Sequence, residues 1–346
     1  MDIVSCDFLY SLCVSAALNY KRDSLLRPFP PFFVNEDQEK AFDDLIKTAT
    51  KLPALHKIQW NNTDHINPKS IQLLKWVINP KTFHLTLADN KEFQKFTELT
   101  ADIDPPHAPD YLFKVVYNDK KSEKFQQLAE EHSLMYAYHG SRVENFHSIL
   151  HNGLRNNLNK VTLFGEGIYL SSSFKVSAPF SPTGTAWSNS FFGDSISCVA
   201  LCELVNHPDV KCSVEAVKED SKDSNLRNRS SDPCSSQKSS KHRSYIKGSE
   251  GGQIPDKYFV VRNDELVRVK YIALFAPKAD KKLISNVLSG KTVTPTERSG
   301  FLVRHQFFLL MISYIFILFL IGFFNSSVFT AWWRNRAHHE ESPFLP

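Results

Sequence analysis

The chain has 346 residues, long enough for two domains, with 42% hydrophobic and 23% charged residues, the balance of an ordinary globular protein. Its net charge of +4 is small for this length and argues against the concentrated basic face of a nucleic-acid binder. Cys6, Cys13, Cys198, Cys202, Cys212 and Cys234 form no CxxC pair, which argues against a zinc site or a disulfide framework and fits reduced thiols.

The opening stretch, MDIVSCDFLYSLCVSAALNYKRD, has an apolar centre, but Asp2 and Asp7 stand where a signal peptide carries Lys or Arg. Leu9, Leu12, Cys13, Ala16 and Tyr20 recur at helical spacing, which predicts a soluble amphipathic helix. Pro28, Pro30 and Pro31 then force an extended break. Helical spacing returns over 36–52, with Phe42, Leu45, Ile46 and Leu52, and again over 69–79. Residues 1–95 therefore read as a small all-helical domain, with no paired carboxylates, glycine-rich loop or metal-ligand spacing.

From 96 to 275 the texture changes. The runs DYLFKVVY (110–117), LMYAYHG (134–140), GIYLS (167–171), SISCVALCELV (195–205), KYFVV (257–261) and LVRVKYIALF (266–275) are rich in β-branched and aromatic residues and read as strands. Short helices lie between them without regular alternation, so the expectation is an α+β domain with mixed sheets rather than a doubly wound parallel sheet. Residues 217–247 hold nine serines and little to bury, the signature of a disordered loop. Residues 276–306 read as a polar linker.

The run FFLLMISYIFILFLIGFF (307–324) carries no charge over eighteen residues. As a helix it is roughly 27 Å long, close to the thickness of a bilayer's hydrocarbon core. Arg304 and His305 precede it, and Trp332, Trp333, Arg334 and Arg336 follow, the groups that settle at headgroup level. A single transmembrane helix is expected, with the lipid bilayer as a partner. Only 22 residues follow it, so it would insert after translation as a tail anchor. That leaves the preceding domains in the cytosol and 325–346 as a short lumenal tail, with the sequon at Asn325 beside the membrane.

Several chemistries find no match. Gly165-Glu166-Gly167 lacks the third glycine of a dinucleotide fingerprint, and there is no GxxxxGK loop or G-x-S-x-G elbow. His147 and His151 stand four apart, but no glutamate follows His147 to act as a metalloprotease base. Three segments remain: YHGS (138–141), LFGEGIYLSSS (163–173) and KYFVV (257–261). In that order and spacing they resemble the active site of the poly(ADP-ribose) polymerase family of ADP-ribosyltransferases. The likeness continues through NYKRDSLLRPFP, YHGSRVENFHSILHNGL, SEGGQIPDKYFVV and the apolar tail. Within the family it is most similar to the tail-anchored mono-ADP-ribosyltransferases of the endoplasmic reticulum.

That resemblance implies an ADP-ribosyltransferase fold, NAD as substrate and no metal. It places His139 on the adenosine ribose and Gly140 on the nicotinamide amide, with Ser141 beside them. Tyr169 would stack on the cationic nicotinamide ring, with Ser177 and Phe180 where the family has a carboxamide-bonding serine and a second stacking aromatic. At the third triad position the polymerases carry glutamate, whereas this chain has Tyr258. A phenol is neutral where a carboxylate is charged, so chain elongation should fail and a single ADP-ribose should pass to acceptor proteins or to the enzyme itself. The resemblance also implies the endoplasmic reticulum membrane and contiguous nuclear envelope as location, and a role in stress signalling, the unfolded protein response. A catalytically weak NAD or ADP-ribose sensor, or a membrane tether, remains as the rival reading.

Overall fold

The computed structural model describes residues 1–101, 103, 108–118, 120–156, 164–212, 254–255, 257–289 and 306–332. The expected serine-rich loop lies outside these residues. Residues 1–292 form one compact unit and 293–346 a second.

Helix α1 (Ile3–Leu18) is capped by Asp2, whose carboxylate accepts from the Ser5 N–H at 2.7 Å. The sequence predicts an amphipathic helix here, and the structure corrects this. α1 is buried on all sides, polar Ser5, Asp7, Ser11 and Ser15 included, and Tyr20 falls beyond its end. The reason is that partners cover its polar side as well: Ser190 Oγ and the Phe191 N–H both donate to the Asp7 carboxylate. Burial pushes the Asp7 carboxyl up to about 7, against the lowering effect of those two donors. α2 (Arg22–Leu25), α3 (Phe42–Lys51) and α4 (Pro68–Val77) each pack against α1. A second correction is β1 (Phe83–Leu87), a strand within the region expected to be helical.

The sheet follows. After α5 (Asn90–Leu99) come β2 (Tyr111–Tyr117), α6 (Lys120–Glu131), β3 (Leu134–Gly140) and α7 (Phe146–Asn152). Then come β4 (Ile168–Ser171), α8 (Phe174–Ser177), β5 (Gly184–Thr185), β6 (Ser195–Val205), β7 (Val210–Lys211), β8 (Tyr258–Val261) and β9 (Val267–Phe275). The strands run in the order β1-β2-β9-β6-β3-β4-β8-β7, with β5 on β6. Mixed sheets were expected, but every pairing among the described residues is antiparallel. The α+β reading stands. One hydrophobic core runs from Val4, Phe8 and Leu12 of α1 through Phe113 of β2 to Ile272 of β9, so helices and sheet share their buried surface.

The stretch expected to begin a linker instead holds a helix, Lys281–Leu288, capped by Asp280 and anchored by buried Ile284. In the second unit a helix runs over Gln306–Phe324. Among the described residues no helix is long and apolar enough to cross a membrane.

Candidate active site

β3 carries its apolar run into the sheet and delivers His139 and Gly140 at its last two positions. Its pairing with β6 is continuous from Leu134 to Gly140, whereas it meets β4 only at Tyr138↔Ser171. The sheet therefore parts just beyond Tyr138, and His139 stands at the opening.

His139 Nδ1 lies 2.9 Å from the Tyr169 carbonyl oxygen. A carbonyl only accepts, so Nδ1 carries the proton and Nε2 is left as an acceptor. Burial holds this imidazole below its ordinary pKa, against the opposing effect of the carbonyl bond. The ring is therefore neutral at neutral pH.

The family resemblance places Gly140 on the nicotinamide amide, and the structure adds a steric reason for glycine there: a Cβ would sit 1.9 Å from the Ser177 carbonyl oxygen and 3.0 Å from Phe180 Cβ. Glycine lets the α8 turn lie directly on the strand. Ser177 Oγ donates to the Tyr138 carbonyl at 3.1 Å, while Phe180 leaves 61% of its surface exposed. The Ser141 N–H donates to Ser181 Oγ at 3.0 Å, and Asn145 Nδ2 donates to Ser141 Oγ at 2.8 Å.

Tyr169 is held at its hydroxyl, which donates to the Gly165 carbonyl at 2.6 Å and accepts from the Phe164 N–H at 2.9 Å. Gly165 has φ of 92°, a left-handed backbone that favours glycine. Phe164 stands between the two tyrosines, its ring centroid 6.2 Å from Tyr169 and 5.7 Å from Tyr258. Tyr258 pairs with Ser171 across the β4–β8 ladder. It follows Lys257, whose φ of 70° is rare for a residue with a Cβ. The Lys257 carbonyl accepts from Ser171 Oγ at 2.8 Å and from the Ser172 N–H at 2.9 Å, which fixes the entry to β8.

The seven expected site residues thus fall into linked groups. Gly140, Ser177 and Phe180 pack together, Tyr169 and Tyr258 flank Phe164, and His139 is tied to Tyr169. His139 and Ser141 also line a cavity of about 520 Å³, which the other five do not border. Its remaining walls include Gly153–Arg155 after α7 and the turn Asn19–Lys21 after α1. The sequence assigns Phe164 no role, because an aromatic in a loop carries no periodic signal, and it counts Tyr20 of that turn into the helical spacing of α1. Among the described residues no group of His, Cys, Asp and Glu is arranged to hold a metal.

The poly(ADP-ribose) polymerase catalytic domain matches residues 90–276. The chain belongs to that family. The ARTD15 N-terminal domain matches residues 1–78. Human protein mono-ADP-ribosyltransferase PARP16 is 40% identical over 97% of this chain and 95% of its own length. The mouse protein of that name is 38% identical over 96% and 94%. Mouse protein mono-ADP-ribosyltransferase PARP8 is 24% identical over 59% of this chain and 28% of its own. By family membership the chain is an NAD-dependent ADP-ribosyltransferase, with NAD consumed as substrate.

Proposed function

We propose that the chain transfers one ADP-ribose unit from NAD to side chains of acceptor proteins and of itself. The observation that carries this reading is His139: neutral, its Nδ1 committed to a backbone carbonyl, its Nε2 an acceptor beside a cavity with room for an adenosine. An adenosine ribose hydroxyl donates to that nitrogen. The nicotinamide end lies by Gly140, where exposed Phe180 and the fixed Tyr169 ring offer aromatic faces, and the buried Ser177 hydroxyl, which donates to the Tyr138 carbonyl, has only its lone pairs left for a carboxamide N–H. The ribose–nicotinamide bond breaks with its electron pair leaving on nicotinamide, and an acceptor oxygen or nitrogen bonds to the resulting oxocarbenium carbon as it gives up its proton. Tyr258 brings no negative charge to activate a ribose hydroxyl, so a second unit is not added. Full-length protein given labelled NAD should become labelled, and His139→Ala and Tyr169→Ala should not. Phosphodiesterase digestion of the product should release AMP without phosphoribosyl-AMP. Unlabelled wild-type protein sinks the reading.

We infer further that the enzyme is held on the cytosolic face of the endoplasmic reticulum, and of the nuclear envelope continuous with it, by its apolar tail. Support comes from the uncharged run 307–324 with its Trp and Arg flank, and from exposed Ile315, Phe316 and Phe319, a surface that needs cover. Alkali-resistant association with microsomes, lost on deleting 307–346, is the expected result; extraction of the intact chain by alkali refutes it. A part in stress signalling at that membrane follows as an expectation. It fails if cells lacking the enzyme mount an unaltered unfolded protein response.

A further inference from the structure

The cavity beside His139 has a wall that the strand ends do not supply. α1 stops at Asn19, which is fixed on every polar atom of its side chain. Its Nδ2 donates to Glu144 Oε1 at 2.9 Å and its Oδ1 accepts from the Lys21 N–H at 2.9 Å, while its carbonyl accepts from the Arg22 N–H at 3.0 Å. Glu144 is buried and also takes Arg142 Nε at 2.7 Å, so the turn is bolted to the segment that follows His139. Tyr20, between Asn19 and Lys21, lines the cavity yet is 84% exposed. A tyrosine carried on a turn held in this way, with this much open surface, is suited to receiving a flat partner. The Lys21 ammonium is 4.9 Å from the centre of the Tyr20 ring. Of the cavity's other cations, Arg155 is engaged by Asp264 and Arg142 by Glu144. Lys21 has no ion pair among the described residues.

We propose that this turn completes the donor site, with the Tyr20 ring stacking on the adenine of NAD and the Lys21 ammonium meeting its diphosphate. The proposal rests on the reading that His139 holds the adenosine ribose. A ribose fixed there carries the base on one carbon and the phosphates on another, so both must find partners around the same cavity. Purine rings stack on tyrosine through faces that need no hydrogen bonds. A lysine ammonium is a compact charge suited to phosphate oxygens. The helical region is then part of the substrate site and not only a support for the sheet.

The test titrates full-length protein, purified in detergent, with NAD, ADP-ribose and benzamide, a mimic of the nicotinamide end alone. Tyr20→Ala should weaken NAD and ADP-ribose about tenfold and leave benzamide unchanged, whereas Tyr20→Phe, which keeps the ring, should bind all three normally. Lys21→Ala should weaken NAD and flatten the dependence of its affinity on salt. Wild-type protein that binds NAD and benzamide, with Tyr20→Ala binding NAD equally well, overturns the proposal and leaves the transferase reading intact. Wild-type protein that binds neither ligand overturns that reading and this one with it.

Discussion

Two histidines of this molecule, His139 half-buried and His147 buried, share the same kind of bond and the same direction of pKa shift. His139 gives Nδ1 to the Tyr169 carbonyl at 2.9 Å, and His147 gives Nε2 to the Pro28 carbonyl at 3.1 Å. Burial lowers both pKa values, that of His147 to about 4, so both rings are neutral under ordinary conditions. They part company at the second nitrogen. His139 borders about 520 Å³ of open cavity, while His147 packs on Trp76 and His151 around a gap with no room for water. A depressed pKa and a backbone bond therefore do not distinguish a cavity-lining histidine, the candidate for a substrate contact, from a core one; access to solvent space does.

The sharpest way to break this comparison is to truncate each ring. His139→Ala should reduce automodification by at least about a hundredfold, since substrate is no longer positioned, with an unchanged thermal midpoint. His147→Ala should do the reverse, costing about 2–4 kcal/mol of stability by denaturant titration through its cavity, with normal activity in the folded fraction. An inactive but fully stable His147→Ala would refute the distinction. Gly140→Ala should harm both properties, because its Cβ would overlap the Ser177 carbonyl; about 1–3 kcal/mol of lost stability is expected.

Acidification extends the contrast. His147 and His151 are held down to about 4 and about 3, chiefly by burial, whereas unfolded imidazoles titrate near 6.5. Their contribution is complete above that pH and lost as pH falls toward 4 and then 3. Asp7 works the other way: raised to about 7, it favours the folded state as pH falls from 7 toward 4. His147 and His151 against Asp7 leave a net loss of about 1 kcal/mol per pH unit between 6 and 5, and His139 and His56, also held low by burial, add to it in the same direction. Asp7→Asn, which removes the offset, should make urea midpoints fall more steeply over that interval; an unchanged slope contradicts the assignment. The smallest effect belongs to Tyr169→Phe. It frees the Phe164–Gly165 backbone without removing the ring, and turnover should drop about tenfold or less.

Legibility in the sequence followed the physical signal each element carried. Strands β2, β3, β6 and β9 announce themselves as apolar, β-branched runs, and motif order proposes His139, Tyr169 and Tyr258, of which the fold ties His139 to Tyr169 and sets both tyrosines around Phe164. β1 was missed because FHLTL is short and abuts a helical pattern. α1 was misread because periodicity cannot reveal that Asp7 and Ser5 would find partners inside the fold. Lys281–Leu288 passed for linker because one buried residue, Ile284, anchors it. Gly140 carries a constraint that the sequence cannot show: the Ser177 carbonyl, which only folding brings close, leaves no room for a Cβ there. Tyr20 counts as one more position of helical spacing in the sequence, since a cavity wall is assembled from turns distant in the chain.

α1 has a further consequence. A helix buried on every side cannot be lifted away without opening the core it shares with the sheet, so the boundary between the stretches matched over 1–78 and 90–276 is one of ancestry rather than of cooperativity. Residues 1–292 should melt as one calorimetric unit, and a ligand gripped at the strand end should raise the melting of the first helix as much as that of the last strand.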